Sequence, residues 1–358
     1  MKKNLLISTG GTGGHVIPAL TFYDHLKDHF KVSILTDQRG TKFINDSYSY
    51  DVIYTPKITS NLFLYPIKFF LLTIPILKSL FFLKKKKIDL VLSTGGYMSF
   101  PICISARLLG IKIILFEPNS IIGRTNLLIL KFAKRILCYS SNICNLPIKF
   151  KSKIYEIEPI LRQNYYSSKK NTKYNFIDKI NIVILGGSQG AEFFDNFILT
   201  LVQSLSKKVK LNILQQVNSK KKIYNIEKIY KKMNLEFKLF TFDNNLHKIL
   251  GNYNLAFTRC GASSMAELIQ YNIPFIGIPY PHAKDDHQYF NAKYYRSKNC
   301  CWIYRQQELS IKKIEKLIQS IFADNNVYKK KFDSTVDLSY KNNWDNINKK
   351  LIDLFNEN

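Results

Sequence analysis

The chain reads as an α/β protein built from two doubly wound, Rossmann-like domains, and three observations lead there. Short apolar segments alternate with helix-length segments almost throughout. Two of those apolar segments run straight into glycine-rich turns, Gly10-Gly11-Thr12-Gly13-Gly14-His15 and Gly186-Gly187-Ser188-Gln189-Gly190-Ala191. A length of 358 residues with 46% hydrophobic content suffices for two cores.

Residues 5–7 form the first expected strand, and the turn after it opens a helix with Pro18 expected in its first turn. Four glycines in five positions let backbone N–H groups converge where side chains would block them. The helix start adds a partial positive charge, so the crossing suits an anion. Residues 31–36, 88–92, 112–116 and 135–138 continue as buried parallel strands rich in isoleucine, leucine or valine. The second half repeats the plan at 180–185, 211–214, 237–240, 255–257 and 274–278. The polar stretch 163–178, centred on Ser167, Ser168, Lys169, Lys170 and Asn171, is the linker candidate.

The turns differ from their commoner namesakes. As a dinucleotide fingerprint, the first would place Val16 where a third Gly or Ala belongs, and the second fits no better, which disfavours a nicotinamide enzyme. Neither ends in the Lys-Ser/Thr pair of a P-loop, so nucleotide hydrolysis lacks its phosphate-gripping lysine.

The net charge of +27 is divided almost evenly between residues 1–160 and 161–358. A nucleic-acid reader concentrates its charge in a stripe with stacking aromatics, and no such motif is present, so nucleic acid is not an expected partner. The apolar run at 5–7 is too short for a signal peptide. Cys103, Cys138, Cys144, Cys260, Cys300 and Cys301 show no C-x-x-C pair and no zinc spacing, which predicts free thiols and no metal site. Residues 61–87 are far more apolar than a surface helix, but Pro66, Lys68, Pro75 and Lys78 interrupt the run before four lysines, Lys84 to Lys87. Such a segment does not span a bilayer. Composition leaves two readings open, a buried crossover helix or an interfacial helix whose lysines meet anionic headgroups.

Five motifs stand in order: Gly10 to His15, Gly95-Gly96-Tyr97-Met98-Ser99, Gly186 to Ala191, Cys260-Gly261-Ala262-Ser263-Ser264-Met265-Ala266-Glu267, and Gln288-Tyr289-Phe290-Asn291-Ala292. Together they resemble the MurG family of bacterial N-acetylglucosaminyltransferases, over the first strand to about residue 305. The resemblance implies a GT-B fold, α/β with two doubly wound Rossmann-like domains facing across a cleft. Domain limits would be 1–162, joined by a C-terminal helix at about 338–358, and 163–337.

What the resemblance implies for chemistry is specific. The donor is UDP-N-acetylglucosamine, held mainly by the C-terminal domain. Ser188 and Arg162 would meet the diphosphate, and Ala262, Ser263, Ser264, Met265, Ala266 and Glu267 would line the nucleoside site, with Glu267 on the ribose hydroxyls. Phe242 would flank uracil, Gln288 would hold sugar hydroxyls, and Thr12, Gly13, Gly14 and Asn119 would close over sugar and phosphates. The acceptor is undecaprenyl-pyrophosphoryl-MurNAc-pentapeptide (lipid I), whose 4-hydroxyl attacks the anomeric carbon with inversion. The expected place of work is the cytoplasmic face of the bacterial inner membrane, as a peripheral protein on an anionic surface. His15 is the candidate base or acceptor-orienting group, and Glu117 in Phe116-Glu117-Pro118-Asn119 is its competitor. With helix dipoles and Arg162 neutralising the diphosphate, neither a metal nor a cofactor is required.

Three places depart from the family pattern. Glu158-Pro159-Ile160-Leu161-Arg162 carries Glu for an expected Asn and one extra residue, residues 116–119 lose a neighbouring polar pair, and the loop before Gln288 is one residue longer.

Overall fold

The computed structural model describes residues 2–55, 65–168, 170–172, 179–243 and 245–357, apart from the side chains of 65–70 and 188–191. It divides into two compact units, Met1–Gln163 with Trp344–Asn358, and Asn164–Asn343.

The first unit holds a seven-stranded parallel sheet ordered β3-β2-β1-β4-β5-β6-β7. Its strands are β1 (Asn4–Ser8), β2 (Lys31–Thr36), β3 (Tyr50–Val52), β4 (Leu90–Ser93), β5 (Lys112–Glu117), β6 (Arg135–Cys138) and β7 (Ile154–Glu156). The chain winds outward from β1 to β3, then crosses to β4, so β1 and β4 flank the switch point. Loops leaving the carboxyl ends of two such strands form the crevice where open α/β sheets bind ligands. Helices α1 (Gly13–Leu26), α2 (Tyr65–Lys85), α3 (Ser99–Leu108) and α4 (Arg124–Ile129) cover the sheet. Leu5, Leu6, Ile7, Val91 and Leu92 are fully buried, as central parallel strands require.

The second unit begins with α5 (Gln163–Ser167) at the boundary and carries a six-stranded parallel sheet ordered β10-β9-β8-β11-β12-β13. In chain order it contains β8 (Lys179–Leu185), α6 (Gly187–Leu205), β9 (Lys210–Gln216), α7 (Lys220–Lys232), β10 (Glu236–Phe240), β11 (Leu255–Thr258) and α8 (Ala262–Gln270). Then follow β12 (Phe275–Gly277), α9 (His287–Ser297), β13 (Cys301–Ile303), α10 (Ile311–Ala323) and α11 (Asn325–Lys341). Here β8 and β11 flank the switch point. The core packs Ile182, Ile184 and Phe257 against Phe194, Leu201, Tyr230, Ile314 and Tyr328, each large side chain contributing about 1.5–3 kcal/mol by burial.

The last helix, α12 (Trp344–Glu357), returns to the first unit. Ile347, Leu351, Leu354 and Phe355 form its buried stripe. His25 on α1 stacks on Trp344 with ring centres 3.7 Å apart and donates from Nδ1 to Asn348 Oδ1. Lys350 Nζ reaches both carboxylate oxygens of Glu158 at 2.6 and 2.7 Å.

The structure corrects several sequence expectations. Pro18 lies inside α1, in its second turn, because the helix already starts at Gly13. The linker candidate is partly built structure: residues 163–167 are helical, Tyr165 is buried against Tyr271, and the Asn171 N–H donates to the Tyr271 carbonyl at 3.1 Å. Its portion 173–178 lies outside the described residues. The span 338–343 belongs to the end of α11 and a short turn, and the returning helix starts at Trp344.

Of residues 61–87, residues 61–64 lie outside the described residues, and α2 has one buried and one exposed face. Leu72, Ser79 and Leu83 are buried, whereas Leu71, Ile74, Leu77 and Phe81 are 43–69% exposed along a single stripe. Lys78 and Lys84 to Lys87 are exposed beside it. Among the described residues, no helix is long and apolar enough to cross a membrane.

Candidate active site

The turn after β1 is held from below by a carboxylate. Gly11, at φ +85°, donates its N–H to Asp37 Oδ1 at 2.9 Å, and Gly40 donates to the same oxygen at 2.9 Å. Arg39 Nε donates to Asp37 Oδ2 at 2.7 Å. A Cβ on Gly10 would lie 2.9 Å from Asp37 Oδ1, so this close approach requires glycine. The Thr12 and His15 N–H groups bond within the turn to the Gly10 and Thr12 carbonyls. Gly13 and Gly14 then open α1 with no side-chain cap.

His15, the third residue of α1, is fixed by the loop after β4. Its Nδ1 lies 2.8 Å from the Thr94 carbonyl oxygen. A carbonyl only accepts, so Nδ1 carries the proton and the neutral ring's lone pair sits on Nε2. Gly95 and Gly96, at φ +95° and +87°, make room for this: their Cβ atoms would stand 2.9 Å from His15 Nδ1 and 2.7 Å from the Gly10 carbonyl oxygen. The first two glycine motifs therefore interlock around one imidazole.

Glu117 has a different situation. At the end of β5 it is buried, and its Oε1 accepts from the Asn119 N–H at 3.2 Å and Asn119 Nδ2 at 2.9 Å. Its Oε2 accepts from the Gly123 N–H at 2.7 Å and Asn126 Nδ2 at 3.0 Å. Four donors engage both oxygens, so this carboxylate organises residues 117–126 and orients Asn119.

In the second unit the same device recurs with a neutral group. Gly187, at φ +63°, donates its N–H to Gln216 Oε1 at 3.0 Å, and Gln216 Nε2 donates to the Thr241 carbonyl at 3.2 Å. The two glycine turns thus share a geometry but not a chemistry: a carboxylate paired with Arg39 underlies the first, an amide the second. Ser188 lies in the first turn of α6, its side chain outside the described residues. Helices α6 and α8 have Gly186 and Gly261 at their N-caps and so no side-chain cap, whereas α7, α10 and α11 are capped by Ser219, Ser310 and Asp324.

Along α8, Ala262, Ser263, Ser264 and Glu267 are partly exposed, but Met265 and Ala266 turn inward and are fully buried. The helical period assigns the side chains of those two to the core. Gln288 Oε1 accepts from the Cys260 and Tyr280 N–H groups, both at 3.0 Å, tying the start of α9 to the start of α8. Phe242 is 74% exposed two residues beyond β10. Arg162 falls in the first unit, with its charge near the Tyr48 phenol.

Asp37, Gln216 and Asn126 escaped the sequence reading. An acid just after the second strand was the available signal for Asp37; a Gln and an Asn inside polar-apolar mixtures carry none. All six cysteines are unpaired, and burial raises the thiol pKa of Cys103 and Cys300 to about 12. Among the described residues no cluster of three or more His, Cys, Asp or Glu could hold a metal ion.

Two family models match the chain: the glycosyltransferase family 28 N-terminal domain over residues 5–138, and the family 28 C-terminal domain over 181–343. Fold and turns together define a two-domain, parallel-sheet α/β protein of the GT-B class. The chain belongs to glycosyltransferase family 28. It is 43% identical over 359 residues, spanning 100% of both chains, to the UDP-N-acetylglucosamine–N-acetylmuramyl-(pentapeptide) pyrophosphoryl-undecaprenol N-acetylglucosamine transferase of Pelagibacter ubique (strain HTCC1062). It is 34% identical to the transferase of the same name from Rickettsia felis (strain ATCC VR-1525 / URRWXCal2), covering 88% of this chain and 89% of that one. Among solved structures it is similar to Acinetobacter baumannii MurG, with a TM-score of 0.79 at 22% identity and full coverage of both chains. A UDP-glucosyltransferase from Polygonum tinctorium gives 0.72 at 10% identity over 99% of each. At those identities the structural likenesses carry the fold alone.

Proposed function

We propose that this chain is an inverting N-acetylglucosaminyltransferase. It moves N-acetylglucosamine from UDP-N-acetylglucosamine to the 4-hydroxyl of MurNAc in lipid I, forming lipid II for peptidoglycan synthesis, and so serves cell-wall biogenesis, cell shape and division. The observation that carries this reading is the 43% identity to a transferase of that name across the whole chain.

The geometry supports particular roles. The acceptor oxygen attacks the anomeric carbon, the bond from that carbon to the β-phosphate oxygen breaks, and UDP leaves with the electron pair. The hydroxyl proton passes to His15 Nε2, the nitrogen that bears the lone pair because Thr94 holds the Nδ1 proton. Glu117, with both oxygens already accepting from four donors, serves as the positioning group for Asn119.

Electrostatics support placing the donor diphosphate at the second turn. The uncapped start of α6, with the neutral Gln216 amide beneath its turn, favours a dianionic group there. Ser188 and Arg162 are the assigned diphosphate partners, Ala262 to Ser264 and Glu267 the nucleoside partners, Phe242 the uracil neighbour and Gln288 the sugar partner. Thr12, Gly13, Gly14 and Asn119 are the contacts assigned to the first unit.

The exposed stripe of α2, with Lys78 and Lys84 to Lys87 beside it, supports docking on an anionic membrane at the cytoplasmic face of the inner membrane. The test of the activity is purified protein with UDP-N-acetylglucosamine and a short-chain lipid I analogue. UDP release that requires the acceptor and yields the disaccharide is expected; release indifferent to the acceptor would refute the reading.

A further inference from the structure

A buried cation packs against α6, the helix that follows the second glycine turn. Arg259 follows β11 at the switch point, and its N–H donates at 3.0 Å to the carbonyl of Leu185, the last residue of β8 before the turn. Its side chain is 4% exposed. Nη1 donates to the Ile278 and Pro279 carbonyls at 3.1 and 3.2 Å, and Nη2 donates to Gln306 Oε1 at 2.7 Å. All three partners are neutral, and Nε is buried with no hydrogen-bond partner. The guanidinium carbon lies 5.3 and 5.1 Å from the ring centres of Phe193 and Phe194, in the second turn of α6, and 5.5 Å from that of Tyr280.

Among the described residues no carboxylate pairs with Arg259, although the chain carries 26 acidic side chains. A charge taken from water without a counterion is costly, and aromatic faces with neutral acceptors repay only part of that cost. Burial pushes the guanidinium pKa below the ordinary arginine value, the direction expected of a charge that lacks its anion.

We propose that Arg259 is the built-in countercharge of the donor's diphosphate, a positioning residue whose field favours a phosphate-bearing nucleotide at the start of α6. This rests on the donor reading above and assigns it a charge source besides Ser188 and Arg162. The neutral bonds hold the cation in place, and the two phenylalanines link it to the helix whose amino end takes the anion. A competing role, a brace that only ties residues 278–280 and Gln306 to β11, requires hydrogen bonds but not charge.

The test compares UDP with uridine by calorimetry on the full chain. The wild-type protein prefers UDP, and Arg259→Gln is expected to reduce the UDP-over-uridine preference by about tenfold or more, as loss of a charge-assisted interaction does. Arg259→Lys, which keeps the charge, should retain most of the preference. Parallel weakening of UDP and uridine in Arg259→Gln would identify a brace and overturn the proposal. A measurement on the unaltered protein guards against a variant that fails to fold. The preference should largely persist in about 0.5 M salt, because a buried charge is poorly screened; its disappearance would assign the attraction to exposed lysines. A wild-type protein with no preference for UDP over uridine would overturn the donor reading as well.

Discussion

Gly95 and His15 occupy one another's space: a Cβ on Gly95 would stand 2.9 Å from His15 Nδ1 and 3.0 Å from Cε1. The imidazole can donate to the Thr94 carbonyl only because the next residue has no side chain and tolerates φ +95°. Gly95→Ala must therefore displace the ring. Turnover is expected to fall by about 100-fold, the effect of misplacing a reacting group by about 1 Å, with UDP affinity unchanged by calorimetry. Unaltered turnover would show that the ring's position is not what the glycine secures.

Asp37 gives a stability prediction. Asp37→Ala leaves the Gly11 and Gly40 N–H groups without their acceptor and should cost about 1–3 kcal/mol in urea unfolding. Asp37→Asn keeps an acceptor oxygen and should cost less. Equal loss in both variants would mean that charge, not the amide bonds, matters at the base of the turn.

The junction of α1 with α12 should be acid-sensitive. Burial lowers the His25 pKa from 6.5 to about 4, and its Nε2 is buried with no partner to receive a proton's N–H. Between those pH values the unfolded chain binds a proton that the folded chain excludes. Stability is therefore full above pH 6.5 and falls as the pH drops toward 4, by up to about 3 kcal/mol. His25→Gln should flatten this part of the pH profile of urea unfolding; an identical slope in the variant would contradict the assignment.

Vesicle co-sedimentation should depend on anionic lipid and decline as salt rises. Replacing Leu77, Phe81, Lys84 and Lys85 with serine or glutamine removes apolar area and charge from one face of α2 and should lower the bound fraction severalfold, with UDP binding retained. Unchanged sedimentation would move the membrane contact elsewhere.

Strands buried on both faces, such as 90–93 and 112–117, were legible because a largely apolar run has few alternatives in an α/β chain. The unforeseen strands, Tyr50–Val52, Ile154–Glu156 and Cys301–Ile303, are three-residue sheet edges, half exposed and too short to leave a pattern. Glycine turns and His15 stood out because their chemistry is local. Asp37, Gln216 and Arg259 did not, since each acts on a turn that lies between 26 and 74 residues away in sequence.

The central claim is that His15, fixed in one tautomer, takes the acceptor's proton while the donor is held elsewhere. Steady-state UDP release by His15→Ala, with UDP affinity measured on the same sample, tests it most directly. In that variant kcat is expected to fall by about 100-fold or more while donor affinity changes little. Near-normal turnover, or a large loss of UDP affinity with it, would contradict the assignment.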